Sequence, residues 1–229
     1  MFDAESFIEG KILLVDKPIG WTSFDVVNKL RYQIRYAYNI KKIKVGHAGT
    51  LDPLATGLLL ICTGKNTKKL DTFSNLEKSY SGTFRLGATT PSYDAETEID
   101  NYYPTDHIDN QLIEKTRLEF LGKQEQYPPI FSAIKVDGVA LYKSARAGKS
   151  VEVKPRDIEI MAFEITKIDE HNYSFFTSCS KGTYIRSLIF DFGRKLNSGA
   201  YLTSLKRESI GEYNLQNAWN LEQLLSEIK

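Results

Sequence analysis

The apolar residues of this chain change period along its length, and that mixture constrains the fold more than any other feature. "KILLVDKPIG" reads as a buried strand ending in a Pro-Gly turn. In "TSFDVVNKLRYQI", Thr22 or Ser23 can cap a helix, with an acid three residues on from Thr22; Phe24, Val27, Leu30 and Ile34 follow at helical spacing. "GLLLIC" reads as a second buried strand, and Asn66 or Thr67 can cap a short helix burying Leu70 and Phe73. "KSYSGTFRLG" alternates, with Tyr80, Gly82, Phe84 and Leu86 on one face. "DNQLIEKTRLEFLG" reads as a helix stopped by Gly122. "QYPPIFSAIKVDGVALYKSARAGKSV" suggests a hairpin and a basic helix ending at Gly148. "RDIEIMAFEITKI" and "NYSFFTSCS" read as strands around the polar turn from Asp169 to Asn172. "GTYIRSLIFDFGRKL" predicts a helix with Ile185, Leu188, Ile189, Phe192 and Leu196 inside, and "NLEQLLSEI" a short terminal helix. Strands and helices intermix without strict alternation, which predicts an α+β fold with a mixed sheet in one domain spanning 1–229.

Charge sharpens the reading. The chain is 26% charged yet carries a formal net charge of only +1, so any surface for a polyanion must be local. Lys41, Lys42, Lys44, Lys65, Lys68 and Lys69 flank Asp52, the only acid between residues 41 and 70. The balance then reverses: Asp94, Glu96, Glu98, Asp100, Asp106 and Asp109 read as a solvated face. Cys62 and Cys179 are too few for a disulfide framework and read as buried free thiols of a cytoplasmic protein. His47, His107 and His171 give no metal-ligand spacing with them, so no metal is expected. "MFDAESFIEGK" lacks the pattern of a signal peptide, and Leu58 to Cys62 is far too short to span a bilayer.

The lysine-flanked stretch "KVGHAGTLDPLATGLLLICTGKNTK" raises a question of its own. An Asp-Pro pair is most often local turn chemistry. Pro53 pushes Asp52 away from helical dihedrals, while Gly46, Gly49 and Gly57 let the backbone turn tightly and approach a ligand.

"GHAGTLDPLATGLL" resembles the catalytic-aspartate motif of the TruB family of pseudouridine synthases. Three further stretches fall in the family's order: "LLVDKPIGWTS", "KSYSGTFRLGATT" and "CSKGTYIRSLIFDFG". "YPPIFSAIKVDGVALYKSARAG" resembles the family's RNA-gripping insert, here around residues 105–155, and "AYLTSLKRESIGEYNL" its closing segment. The resemblance covers nearly the whole chain. Trp21 stands where family members often have a smaller or more flexible residue, and Pro91 interrupts a stretch that usually reads Asp-Thr. Many bacterial members continue into a C-terminal RNA-binding domain of the PUA kind, and no complete one is expected here.

The resemblance implies a mainly antiparallel sheet flanked by helices and an isomerase of uridine 55 in the T arm of tRNA. The reaction breaks the bond from ribose C1′ to uracil N1 and re-forms it to C5. Atoms are neither gained nor lost, so no cofactor is expected. Asp52 would be the catalytic carboxylate, nucleophile or base, ionised at neutral pH from an unperturbed pKa of about 3.9. Arg186 would orient it through a planar fork. The target base must leave its stack. Tyr80 would stack on it, His47 would lie beside the displaced nucleotide, and Leu202 would form an apolar wall. Lys17 and Pro18 would shape the turn behind the site. RNA phosphates would be met by Lys41, Lys42, Lys44, Lys65, Lys68 and Lys69 with Lys143, Arg146 and Lys149 of the insert. The expected partner is tRNA, acted on by a monomer with no membrane association. A non-catalytic RNA-binding protein on the same scaffold is the alternative. A carboxylate-dependent hydrolase would want a second acid near Asp52, and the local sequence has none.

Overall fold

A computed structural model describes residues 2–132 and 153–229, together with the backbone of two short strands between them. By its contacts the chain forms two compact units, one of Met1–Tyr80 with Leu205–Lys229, the other of Ser81–Ser204. The first opens with α1 (Ala4–Glu9), β1 (Ile12–Lys17), α2 (Ser23–Ala37), β2 (Val45–Ala48) and β3 (Ala55–Thr63). A 3-10 turn (Gly64–Lys69) and α3 (Leu70–Ser74) follow, and β4 (Lys78–Leu86) leads into the second unit. There the chain runs through β5 (Ala88–Thr89), β6 (Asn101–Tyr102), α4 (Asn110–Glu119), β7 (Gly122–Gln126), β8 (Lys135–Val136) and β9 (Val139–Ala140). β10 (Arg156–Lys167), β11 (Asn172–Cys179) and α5 (Ile185–Lys195) complete it. β12 (Ala200–Ile210) returns to the first unit, which closes with β13 (Tyr213–Asn214), β14 (Trp219–Asn220) and α6 (Leu221–Glu227). The fold is α+β, with mixed but mainly antiparallel strand pairing and flanking helices, as expected.

In the first unit the strand order is β14-β1-β3-β12, with β2 on β3 and β13 on β12. Pairing is parallel for β1 with β14 and for β3 with β12, and antiparallel for β1 and β2 with β3. β3 explains why "LLLIC" is apolar at every position. Leu59 and Ile61 pack with Val26, Val27, Leu30 and Ile34 of α2 and Leu221 and Leu224 of α6. Leu58, Leu60 and Cys62 join a second cluster with Ala48, Phe73 and Ile210. A strand covered on both faces has no reason to alternate.

α2 begins with the expected capping box: Thr22 caps, and the Asp25 carboxylate accepts from the Thr22 backbone N–H at 2.9 Å. Its core face differs from the expected one. Val26 is buried, whereas Phe24 is 58% exposed with the Arg31 guanidinium 5.9 Å from its ring centre. Phe24 lies at the helix's first turn, rotated off the stripe that Val27 and Leu30 share. Neither Asn66 nor Thr67 caps α3. The Asn66 amide instead donates to Gly10 O at 2.7 Å, the Thr67 hydroxyl donates to Gly64 O at 2.8 Å, and α3 starts without a side-chain cap.

In the second unit the order is β4-β11-β10-β7, and β10 is antiparallel to both neighbours. The β10–β11 turn is the expected polar one, with the Asp169 carboxylate accepting from the His171 and Asn172 N–H groups. The core here is aromatic. Phe192 of α5 meets Phe84 edge-on at 5.9 Å and Phe163 at 5.6 Å. Ile185, Leu188, Ile189, Phe192 and Leu196 are all buried. α4 ends at Glu119 rather than running to Gly122, whose φ of +91° turns the chain into β7. β8 and β9 pair as the expected hairpin, while the basic helix expected to end at Gly148 lies outside the described residues. Both cysteines are buried and outside any disulfide, and burial pushes the Cys62 thiol up to about 11. Among the described residues no helix is long and apolar enough to cross a membrane.

Candidate active site

The Asp52 loop links β2 to β3 and is held by its backbone from several directions. The Ala55 N–H donates to Asp52 O at 3.0 Å, closing the turn. Ser23, the first residue of α2, accepts from the Leu51 N–H at 2.8 Å and donates to Leu51 O at 3.2 Å. The Gly20 N–H donates to Pro53 O at 2.8 Å. Lys17, wholly buried at the end of β1, donates to Trp21 O at 2.6 Å, Pro18 O at 2.9 Å and Pro53 O at 3.4 Å. Its ammonium thus ties the Pro18 turn to the loop, the structural part the sequence suggested. Burial pulls the Lys17 pKa down to about 8, with Asp52 opposing as the strongest attraction. A half-buried carboxylate on a loop fixed this way has little freedom of direction.

Arg207 of β12 adds a further tie. Its Nε donates to Leu58 O at 2.7 Å and its Nη2 to Gly49 O at 3.0 Å, and its guanidinium interacts electrostatically with the Tyr80 side chain. Tyr80 is buried. His47, on β2, is half-buried. Burial, reinforced by nearby Arg207, holds its imidazole below the usual range, so it is neutral at pH 7. Its Nδ1 has no hydrogen-bond partner among the described residues.

In the second unit, Arg186 sits in the first turn of α5 and is buried. The helix start is braced by Gln126 of β7, whose side chain accepts from the Tyr184 N–H at 2.8 Å and donates to Tyr184 O at 3.0 Å. Arg186 Nη1 donates to Ser92 O at 3.0 Å, and its Nε lies 3.6 Å from Asp94 Oδ2, an ion pair looser than a hydrogen bond. Between these two partners, Tyr93 takes a φ of +64°, a left-handed conformation that bulky residues rarely adopt. Its ring stacks on Phe190 at 3.7 Å. The Leu202 N–H donates to Tyr93 O at 3.0 Å, and the Leu202 side chain is buried. The kink turns both Ser92 O and the Asp94 carboxylate towards one guanidinium.

Asp94 corrects the reading of the acidic run as a solvated face. It is buried and ion-paired, while Asp109 caps α4 and Glu96, Glu98, Asp100 and Asp106 are exposed. Asp94 and Arg207 are the residues that sequence reasoning missed. Proximity to the "RLGATT" stretch could have flagged Asp94; Arg207 carries no periodic signal.

The phosphate-binding candidates fall into three groups. Lys44, Lys65 and Lys68 line one open cavity of about 240 Å³ together with Lys42. Both Lys65 and Glu9 are exposed there, and the Lys65 ammonium meets both Glu9 carboxylate oxygens at 2.8 Å. Lys69 is exposed beside that cavity, at the end of the 3-10 turn. Lys143, Arg146 and Lys149 lie outside the described residues. Among the described residues no group of three His, Cys, Asp or Glu side chains is placed to hold a metal ion.

Comparison with known proteins defines the class. A chain of a crystallised Cbf5-Nop10-Gar1 complex superposes with a TM-score of 0.72 at 25% identity, over 98% of this chain and 56% of that one. Residues 35–185 match the family described as TruB family pseudouridylate synthase (N terminal domain), so the chain is a pseudouridine synthase, an isomerase. It belongs to the TruB family. The "tRNA pseudouridine synthase B" of Flavobacterium johnsoniae is 57% identical over 93% of this chain and 94% of its own length. That of Phocaeicola vulgatus is 51% identical over 95% and 92%.

Proposed function

We propose that this enzyme acts on tRNA in the cytoplasm as a monomer, converting uridine 55 of the T arm to pseudouridine, with Asp52 as the reacting carboxylate. The names of its relatives support tRNA as the substrate. The observation that carries the role of Asp52 is the fixed loop, secured through Leu51 and Pro53 on either side of it. The uridine leaves its stack and enters the site. Asp52 acts as nucleophile or base while the C1′–N1 bond breaks, the uracil turns, and C1′ bonds to C5. The C5 proton leaves and N1 takes one up, so no oxidant, reductant or nucleotide is consumed. Tyr80 offers a flat face to the base, Leu202 an apolar wall, and neutral His47 a ring nitrogen for the displaced nucleotide. Arg186 is assigned to Asp52 on the family motif. The lysines of the 41–69 stretch and the insert engage phosphates.

The test is chemical mapping of pseudouridine across total tRNA before and after treatment with the pure enzyme. A new signal at position 55 that Asp52→Asn fails to produce is the expected result. tRNA bound but left unmodified by the wild type would favour the non-catalytic RNA-binding reading instead.

A further inference from the structure

We infer that Arg207 is a positioning residue for the isomerisation, a single planar fork that fixes the segment from Gly49 to Leu58, which carries Asp52. The inference rests on the reading of Asp52 as the reacting carboxylate and of Tyr80 as a contact to the base. Its geometry is specific. Gly49 and Leu58 bracket the segment that carries Asp52, and the guanidinium takes the carbonyl of each, at 3.0 and 2.7 Å. The Tyr80 side chain lies within electrostatic reach of the same guanidinium. The backbone of Arg207 closes on the same segment, since β12 pairs Arg207 with Gly57 in parallel register. A Cβ at Gly57 would stand 2.4 Å from Arg207 O, and one at Gly49, where φ is +82°, 3.3 Å from Nη1. Both glycines therefore admit the arginine at contact distance, and both sit in left-handed backbone that glycine alone adopts without strain.

A purely structural role accounts less well for this arrangement. Arg207 is 1% exposed, and desolvating a guanidinium is expensive. An apolar residue would fill a strand position at lower cost if packing were the purpose. Instead, its side-chain hydrogen bonds go to two carbonyls of the segment that carries Asp52. Lysine preserves the charge but cannot present a planar two-pronged donor to both carbonyls.

The experiment compares Arg207→Lys, Tyr80→Phe and the double variant with wild type in single-turnover pseudouridine formation, tRNA binding and thermal unfolding. For Arg207→Lys the expected result is a rate about 100-fold lower with tRNA affinity unchanged, because a displacement of order 1 Å costs that much. Tyr80→Phe, which removes one hydroxyl, should slow the wild type but add little in the Arg207→Lys background, since the two side chains interact. A full rate in Arg207→Lys, a parallel loss of rate and affinity, or strictly additive effects would each overturn the inference. If Arg207→Lys does not fold, Tyr80→Phe decides alone: an unchanged rate overturns the inference and a slowed rate at constant affinity supports it. Asp52→Asn is run beside them. Activity in that variant would sink the reading of Asp52, whereas an inactive Asp52→Asn with a fully active Arg207→Lys would sink only the role of Arg207.

Discussion

Arg186 and Arg207 are both almost wholly buried, one in each compact unit, and they are satisfied in opposite ways. The partners of Arg186 include a carboxylate, Asp94, and the Ser92 carbonyl, both supplied by a loop strained at Tyr93. Arg207 has the carbonyls of Gly49 and Leu58, both neutral acceptors. The difference is physical. A guanidinium beside a carboxylate is largely neutralised, and its fork is oriented by the pair. A guanidinium among neutral acceptors keeps its field, which here reaches His47 and Lys17 and adds to the lowering that burial imposes on both. The cores of the two units differ as well: in the first, Leu59 and Ile61 pack with the aliphatic residues of α2 and α6, whereas the second is aromatic around α5.

The largest expected effect on that contrast comes from Asp94→Ala. It removes the carboxylate of a buried ion pair, and losing one member of such a pair should cost about 3 kcal/mol on unfolding in urea. A loss under about 1 kcal/mol would mean that the 3.6 Å pair is too loose to matter and that the two arginines are alike after all. Next is Arg186→Lys, which keeps the charge for Asp94 but loses the second prong to Ser92. The expected fall in kcat is about 100-fold with tRNA affinity nearly unchanged. Weakened binding with an intact single-turnover rate would recast Arg186 as a phosphate contact.

Smaller effects probe the surface lysines and the buried one. Neutralising Lys68 and Lys69 together should weaken tRNA binding by about tenfold and flatten its logarithmic salt dependence by about 2, while sparing single-turnover chemistry. An unchanged salt slope would take both residues off the RNA path. The smallest effect belongs to Lys17. With its pKa lowered to about 8, the folded chain binds fewer protons than the unfolded chain above that pH, so this group's contribution to stability rises with pH there. Urea titrations should therefore show wild type gaining on Lys17→Met as the pH climbs above about 8. A difference that stays flat would place the Lys17 charge in water.

Much of the fold was legible because local chemistry and tertiary packing agreed. The Thr22 capping box, the alternation of β4 and the apolar stripe of α5 each write their structure in a few adjacent residues. Phe24 and Asn66 show where that reading stops. Their side chains are settled by Arg31 and by the Gly10 carbonyl, 56 residues away from Asn66.

The site divides in the same manner. By itself the sequence determined that Asp52 is an isolated carboxylate on a glycine-punctuated turn among lysines, because spacing and charge order are properties of the chain. Only the tertiary structure decided which cations are buried, and against what. Asp94 looks like one acid in a solvated run until the Tyr93 kink delivers it to Arg186. Arg207 looks like a strand-surface residue until parallel pairing with β3 lays it along Gly57 and hands it the carbonyls of Gly49 and Leu58. Those partners lie 92, 158 and 149 residues from their arginines. A local pattern cannot encode the desolvation of a charge, because burial is a sum over neighbours that the chain supplies only when it folds.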